Sequence, residues 1–467
     1  MSSVLPVRAA ALPRSRSADA GAARTRQMLH GPLLPTLLRL ATPNVIGLFA
    51  MTVTIGYDGF LLGKLGADAL AGIALVFPLS MLMLQMSAGG IGGATTAAVA
   101  RALGAGRPDE ASRLTQHALL VAWAMAALFM VGLLGFGDVV YAAMGGRGAA
   151  LDAALAYSAV LFSGAAVVWS TNVLAGVVRG AGNMLLPSAM LLLTAVVHVV
   201  LAPILVFGWG PVQALGIAGA AVSTLSANAV AALVMGGWLL RPSGAVRLHA
   251  GPLQFRADLL RSVLRVGLPA SLSPVISNVS IAVATALVGS YGVAALAGYG
   301  VAARLEYILV PIAFGFGSAL TAMVATNIGA GQVRRALRVT WLGAAVVTAI
   351  TGTIGVVVAL APAVWLDLFT QVPEIRAFGA DYLRIVGGFY GFFGLGLTLF
   401  FASQGAGRMG WPLAGSAARL LVIVAGGWLV VHVLHAPATA FFAVVALSLA
   451  LYALLIAGAI WRDRWGA

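Results

Sequence analysis

Three ionisable side chains lie inside long apolar stretches of the chain, where an unpaired charge is costly. They are Asp58, His198 and Glu306. A group of this kind in a hydrocarbon environment must be paired, hydrated or neutralised. A carboxyl group that gains and loses a proton there could act as a proton carrier, and histidine changes its charge near neutral pH. Alternatively, each side chain forms a fixed hydrogen bond or ion pair that holds helices together.

Glu306 has two polar neighbours in its apolar stretch, Arg304 and Tyr307. Residues two apart on a helix do not face each other, so Arg304 and Glu306 could each have a partner elsewhere. Glu306 could bind a cationic substrate or carry a proton, or it could form a fixed ion pair with Arg304 or Arg419. The other side chains that could line a substrate cavity with them are Gln85, Asn278 and Met86.

Several kinds of catalytic and metal site are excluded by the residues that the chain lacks. It contains no cysteine, which removes disulfides, iron–sulfur clusters, thiolate zinc sites and cysteine nucleophiles. No glycine-rich phosphate loop followed by Lys-Ser or Lys-Thr is present, so the sequence does not predict an ATP-driven pump. We therefore expect no enzyme activity and no bound cofactor.

Composition predicts a membrane protein. Of the 467 residues, 61% are hydrophobic and 9% are charged, whereas soluble globular proteins contain about 25% charged residues. A helical span needs about 20 apolar residues. The sequence predicts twelve such spans, at 40–62, 69–94, 114–137, 152–177, 185–207, 213–240, 266–289, 294–324, 339–361, 378–401, 411–434 and 437–461.

The distribution of basic residues predicts the orientation of these spans. The chain contains 27 Lys and Arg against 13 Asp and Glu, and the arginines cluster in alternate loops. Because cytoplasmic loops carry an excess of Lys and Arg, we expect both termini in the cytoplasm. This bias explains the net charge of +14 better than nucleic-acid binding does, so no nucleic-acid partner is predicted.

The two halves of the chain repeat each other at an offset of about 225 residues. The motifs that match in order are Leu103-Gly104-Ala105-Gly106 with Ile328-Gly329-Ala330-Gly331, Arg179-Gly180-Ala181-Gly182 with Gln404-Gly405-Ala406-Gly407, and Ala69-Leu70-Ala71-Gly72 with Ala295-Leu296-Ala297-Gly298. The repeat predicts an all-α protein with two pseudo-symmetric six-helix lobes around a central cavity between them.

This repeat divides the chain into four regions. Residues 1–32 form a basic cytoplasmic tail that we expect to be disordered. Residues 33–240 form the N-lobe, with spans one to six, and residues 266–467 form the C-lobe, with spans seven to twelve. Residues 241–265 are the cytoplasmic linker between the lobes.

The motifs together resemble those of multidrug and toxic compound extrusion (MATE) transporters. The turn after the first span, Gly63-Lys64-Leu65-Gly66-Ala67-Asp68-Ala69-Leu70-Ala71, is similar to the family's G-x-L-G-x-x-A-L-A pattern. Gly216-Ile217-Ala218-Gly219-Ala220-Ala221-Val222-Ser223-Thr224 resembles its sixth-span motif. The resemblance covers residues 40–460, and the C-terminal half is more similar to the DinF-like prokaryotic branch than to the NorM-like branch.

The resemblance implies secondary active efflux of organic, cationic or amphiphilic compounds by antiport with H⁺ or Na⁺. Asp58 matches the acid of the family's coupling site in the N-lobe, and Thr224 and Asn172 are further polar candidates for that site. His198 stands where the family often has Asn, and Ala202 stands where it often has Asp. Because only one carboxylate remains, we expect H⁺ rather than Na⁺ as the coupling ion, although Na⁺ at Asp58 stays the alternative.

The resemblance also implies the setting of the protein and one rival function. The expected location is the bacterial inner membrane, with small-molecule substrates, the lipid bilayer as the surrounding partner, and a monomeric state. The wider superfamily includes flippases for lipid-linked precursors, which is the alternative function. A pyrophosphate headgroup would need a basic central cavity, and the spans contain few basic residues.

Overall fold

The computed structural model describes residues 16–241, 245–248, 254–463 and 465, with side chains from residue 21 onward. The described part is helical apart from turns and one isolated β-bridge between Trp209 and Val212. Residues 1–15, the first half of the predicted tail, lie outside the described residues.

The N-lobe is built from eight helices that follow a short helix in the tail. Their bounds are α1 (Arg16–His30), α2 (Leu33–Gly63), α3 (Ala67–Gln85), α4 (Gly93–Gly104), α5 (Pro108–Ala143), α6 (Gly148–Ser163), α7 (Ala165–Gly180), α8 (Leu185–Phe207) and α9 (Ile217–Leu239). A π-helical segment, Met86–Gly92, joins α3 to α4, so that these three segments form one span.

The C-lobe is built from the remaining helices. Their bounds are α10 (Ala257–Gly289), α11 (Val293–Ala303), α12 (Glu306–Gly329), α13 (Val333–Leu360), α14 (Ala363–Leu366), α15 (Pro373–Val386), α16 (Tyr390–Ala406), α17 (Gly410–Leu421) and α18 (Ala438–Asp463). The helices α11 and α12 form one span, α15 and α16 form another, and π-helical turns extend α17 to Val433.

The number of spans agrees with the prediction. Eleven helices or continuous helix runs in the described residues are long and apolar enough to cross a bilayer. The helices α6 and α7, which bend by 49° at their junction, form the twelfth span. The predicted fold class, an all-α membrane protein with two six-helix lobes, is therefore confirmed.

Several helices extend beyond the predicted apolar spans, and one helix lies in the predicted tail. Residues 16–30 of the tail are helical rather than disordered, because Met28 packs among apolar side chains of both α2 and α12 and its carbonyl accepts a hydrogen bond from Asn327 (3.2 Å). The seventh span begins at Ala257 rather than at 266. Its first turns carry Asp258 and other exposed residues, which a search for apolar residues leaves out.

The internal repeat is visible in the backbone. Equivalent glycines in the two halves have nearly equal positive φ angles, 112° and 103°, 72° and 73°, and 77° and 78°; these pairs are Gly66 with Gly292, Gly106 with Gly331, and Gly182 with Gly407. Equivalent hydroxyls also make equivalent bonds. Thr96 Oγ1 donates to Gly176 O and Thr321 Oγ1 donates to Phe401 O, both at 3.0 Å.

The two lobes are joined tightly at one face, the arginine-rich face, which is the face at which α2 begins and α18 ends. Gly104 and Gly329 allow α4 and α12 to approach so closely that a Cβ atom on either glycine would meet the other helix's backbone carbonyl. Arg101 Nη1 donates across this contact to Gly405 O at 2.9 Å. Small residues at a helix crossing of this kind favour close packing in membranes.

The lobes separate toward the opposite face. In the eighth span, α12 is the part nearer the arginine-rich face, and it packs on α2 and α4 of the N-lobe. The other part, α11, packs on α10, α14 and α15 of its own lobe. In the first span, Asn44 bonds to Ser318 of the C-lobe at 2.9 Å, while Tyr57, thirteen residues further on, donates only within the N-lobe, to Val199 O. The contact between the lobes is therefore concentrated in one half of the bundle.

Candidate functional site

A cavity of about 470 Å³ lies inside the N-lobe. Side chains of α2, α3, α6, α7, α8 and α9 line it. Most of its wall is apolar, and five methionines contribute to it: Met51, Met81, Met83, Met190 and Met235. Flexible, polarisable thioethers suit the binding of varied apolar shapes.

This cavity is additional to the predicted one, which was placed between the lobes. Among the described residues, a small cavity of about 50 Å³ lies where the two lobes meet. The corresponding volume of the C-lobe is filled by aromatic rings, since Tyr299 and Tyr382 pack edge to face at 5.2 Å and Tyr382 packs against Phe442 at 5.3 Å. These aromatic contacts pack the interior of the C-lobe.

Asp58 and His198 meet at the wall of the N-lobe cavity. His198 Nε2, on α8, lies 2.6 Å from Asp58 Oδ1, on α2. The histidine side chain is 4% exposed and the aspartate side chain is 21% exposed. The pair is therefore largely buried, and both side chains line the cavity, from which a proton or a cation could reach them.

The other ring nitrogen of His198 faces two hydroxyl groups of α9. Ser223 Oγ lies 3.1 Å from Nδ1 and Thr224 Oγ1 lies 3.4 Å from it. A hydroxyl can donate to Nδ1 of a neutral imidazole and can accept from Nδ1–H of an imidazolium. The arrangement can therefore accommodate His198 both with and without its second proton.

Local contacts between α2 and α8 hold this pair in place. Tyr57 donates its hydroxyl to Val199 O at 3.2 Å, one residue beyond His198. Nearer the arginine-rich face, Ser188 Oγ donates to Asn44 Oδ1 at 2.9 Å. Gly47 lets the two helices approach there, because a Cβ atom at this site would lie 3.1–3.3 Å from Leu191 and Ser188.

Asn172 lines the same cavity but has different partners. Its Nδ2 donates to Ser87 Oγ at 2.9 Å and to Val168 O at 3.1 Å. The four residues predicted for coupling therefore line one cavity: Asp58, His198, Thr224 and Asn172. Of these, only Thr224 and His198 are near enough to Asp58 to form one hydrogen-bonded chain with it.

The six residues predicted for the substrate cavity lie elsewhere. Glu306, in the C-lobe, accepts a hydrogen bond from the Tyr382 hydroxyl at 3.2 Å. In the described part of the chain, no Lys or Arg nitrogen lies within 4.0 Å of Glu306, so the fixed ion pair with Arg304 or Arg419 is absent. Arg304 instead lies over the ring of Phe369, 5.7 Å from its centre.

The remaining four side chains also lie outside the N-lobe cavity. Tyr307 is 61% exposed, and Asn278 Nδ2 donates to Pro274 O of its own helix at 2.8 Å. Gln85 and Met86 stand at the junction of α3 and the π-helical segment, beyond the cavity lining. Their neighbours Met81 and Met83 do line the cavity.

Two residues of the cavity region were missed from the sequence. Ser223 precedes Thr224 within the sixth-span motif, and its place in that motif was the available signal. Arg179 lines both the N-lobe cavity and the small cavity between the lobes. Its Nε is buried and has no hydrogen-bond partner among the described residues. In the sequence it looks like one more cytoplasmic arginine at a helix end.

Comparisons with known proteins agree with this architecture. The sequence model of the MatE family matches residues 43–204 and 269–429, one segment in each lobe. A FAD transporter of Shewanella oneidensis is 27% identical over 381 residues, which cover 80% of this chain and 82% of that protein. The probable multidrug resistance protein NorM of Deinococcus radiodurans is 31% identical over 345 residues, or 73% of this chain and 74% of that one.

Solved structures share the fold. A structure described as the outward-facing conformation of a multidrug resistance MATE family transporter of the MOP superfamily has a TM-score of 0.86 and 24% sequence identity, and the match covers 97% of this chain and 99% of that chain. Members of the family are membrane transporters rather than enzymes. Because the family model matches both lobes, the chain belongs to the MATE family of multidrug efflux transporters.

Proposed function

We propose that the protein exports organic amphiphiles by proton antiport and that Asp58 and His198 carry the proton. The observation that supports this most directly is the 2.6 Å contact between His198 Nε2 and Asp58 Oδ1 at the wall of the cavity. Two coupled titratable groups share protons as a pair. Protonation of the pair removes negative charge from the cavity wall, which weakens its attraction for a cationic substrate and favours release.

The chemical groups around Asp58 support H⁺ rather than Na⁺ as the coupling ion. The nearest partner of the carboxylate is an imidazole nitrogen, and the next groups are the hydroxyls of Ser223 and Thr224. Hard cations are bound by several oxygen ligands, carboxylates among them. The described residues contain no group of three or more His, Cys, Asp or Glu side chains that could hold a metal ion.

The packing of the lobes supports an outward-open state. The positive-inside rule places the arginine-rich face in the cytoplasm, and this is the face at which Gly104 and Gly329 bring the lobes together. The lobes diverge toward the other face, which is periplasmic in a bacterial inner membrane. Rocking of one lobe against the other would then expose the cavity alternately to the two sides.

The test is dye transport into inverted membrane vesicles, with a pH gradient and a Na⁺ gradient imposed separately. Acidification of the vesicle lumen in medium free of Na⁺ should drive uptake of a fluorescent amphiphile, and a Na⁺ gradient at equal pH should not. FAD, named for the Shewanella relative, should be tested in the same assay. A strict Na⁺ requirement without any response to pH would contradict the proposal.

A flippase for lipid-linked precursors remains the second candidate, and the same vesicles discriminate it. The cavity that such a lipid headgroup would enter contains one arginine, Arg179, and one carboxylate, Asp58. A cavity with one basic and one acidic side chain is less positively charged than a pyrophosphate group would need. Movement of a labelled lipid across the vesicle bilayer, together with no dye transport under either gradient, would favour the flippase.

A further inference from the structure

The N-lobe cavity has opposite charges at its two ends. Arg179 lies in the last turn of α7 and Pro187 in the first turns of α8, so both are at the arginine-rich end. His198 is eleven residues beyond Pro187 on α8, which corresponds to about 16 Å along the helix. All three line the cavity. The acid Asp58, bonded to His198, and the base Arg179 are therefore separated by most of the length of the cavity.

Arg179 is a partly buried cation without a counter-charge among the described residues. Its Nε is buried and unbonded, and no carboxylate lies within 4.0 Å of it in the described residues. Burial of an uncompensated charge is strongly destabilising. The negative end of the α7 dipole offsets only part of this cost, because it amounts to about half an elementary charge.

The internal repeat shows that the fold itself does not need a charge there. The equivalent residue in the C-lobe is Gln404, which is neutral. Its Nε2 donates to Gly89 O at 2.8 Å and to Gly90 O at 3.3 Å, across the contact between the lobes. Arg179 makes no such bond and instead faces the cavity. The same backbone position therefore has a structural role in one lobe and an unsatisfied cation in the other.

We propose that Arg179 is an anion-binding residue and that the cavity accepts zwitterionic or acidic amphiphiles. The guanidinium binds the carboxylate or phosphate of the substrate, the methionine-rich wall contacts its apolar body, and a basic group, where present, lies toward Asp58. Planar guanidinium groups bind carboxylates and phosphates through two parallel hydrogen bonds. This inference rests on the proposed transport function, because it names the substrate class of the same cavity.

The test is equilibrium binding of two matched dyes to the purified full-length protein, followed by fluorescence polarisation. Rhodamine B carries a carboxylate and a delocalised cation, and its ethyl ester keeps the rings and the cation without the carboxylate. The wild-type protein should bind rhodamine B about tenfold more tightly than the ester. Arg179→Gln should abolish this preference by weakening rhodamine B binding alone, and Arg179→Lys should restore part of it.

The controls separate this inference from a structural role and from the proposed function. Arg39→Gln, at an exposed arginine of the same face, should leave the binding affinity for both dyes unchanged. An equal loss of binding of both dyes in Arg179→Gln, or a wild-type protein that binds both dyes equally tightly, would overturn the inference. The wild-type comparison can be made even if a variant fails to fold. Because no ion gradient is used, failure of proton antiport would leave this result unchanged.

Discussion

His198 Nε2 lies 2.6 Å from Asp58 Oδ1, across the contact between α8 and α2. The two residues are 140 positions apart in the chain, and each lies within an apolar span. Each side chain alone would be costly to bury in the membrane. The contact lowers this cost, because each group gives the other a hydrogen-bond partner. It also makes the protonation of either group depend on the other.

The first prediction concerns the carboxylate. Asp58→Asn should reduce gradient-driven efflux to the background of empty vesicles, because the amide keeps the shape and hydrogen bonding of the side chain but cannot carry a proton. Transport in inverted vesicles measures this. Asp68→Asn, at an exposed acid in the first turn of α3, should transport like the wild type. Wild-type efflux in Asp58→Asn would reduce Asp58 to a packing residue.

The second prediction concerns the histidine. His198→Ala should change the pH dependence of efflux more than its maximal extent, because it removes one of the two ionisable side chains of the pair and leaves the Asp58 carboxylate in place. Initial rates over a series of pH values, at a constant pH gradient, measure this. The control is His432→Ala, at an exposed histidine, which should keep the wild-type profile. A uniform loss of rate at every pH would indicate a purely structural histidine.

The third prediction concerns the close contact between the lobes. Gly104→Ala should lower the free energy of unfolding by about 1–3 kcal/mol, as overpacking does, because its Cβ would press on the backbone carbonyl of Thr326. Gly132→Ala, where the added Cβ meets nothing within 4 Å, should instead be neutral or stabilise by up to about 1 kcal/mol. Melting temperatures of the purified variants should therefore shift in different directions, and equal shifts would contradict the packing described here.

The fourth prediction concerns orientation. The chain contains no cysteine, so single cysteines report accessibility without any background. In intact cells, a membrane-impermeant maleimide should label Gln371→Cys, which is exposed at the face opposite the chain termini, and should not label Asp109→Cys, which is exposed at the arginine-rich face. In permeabilised cells, the maleimide should label both variants. The reverse pattern would place the arginine-rich face outside and would contradict the proposed outward-open state.

The sequence determined the features that depend on local composition. Twelve apolar segments, the clustering of arginines in alternate loops and the repeated glycine motifs can be read without any tertiary contact, because span length, loop charge and backbone turns are properties of short stretches. The presence of Asp58, His198 and Glu306 in apolar stretches was visible for the same reason. Wherever exposed polar residues extend a helix beyond its apolar part, as at Asp258, this reading placed the boundary wrongly.

Only the tertiary structure decided which of these residues meet. The rotation and crossing of helices far apart in the chain bring His198 to Asp58 and place Glu306 beside Tyr382 of its own lobe. They also leave Arg179 Nε without a hydrogen-bond partner among the described residues. The location of the cavity likewise depends on how side-chain volume is distributed in each lobe, since aromatic rings fill the C-lobe. Hydropathy does not encode these outcomes, because it records how apolar a helix is and not which face it turns to which neighbour.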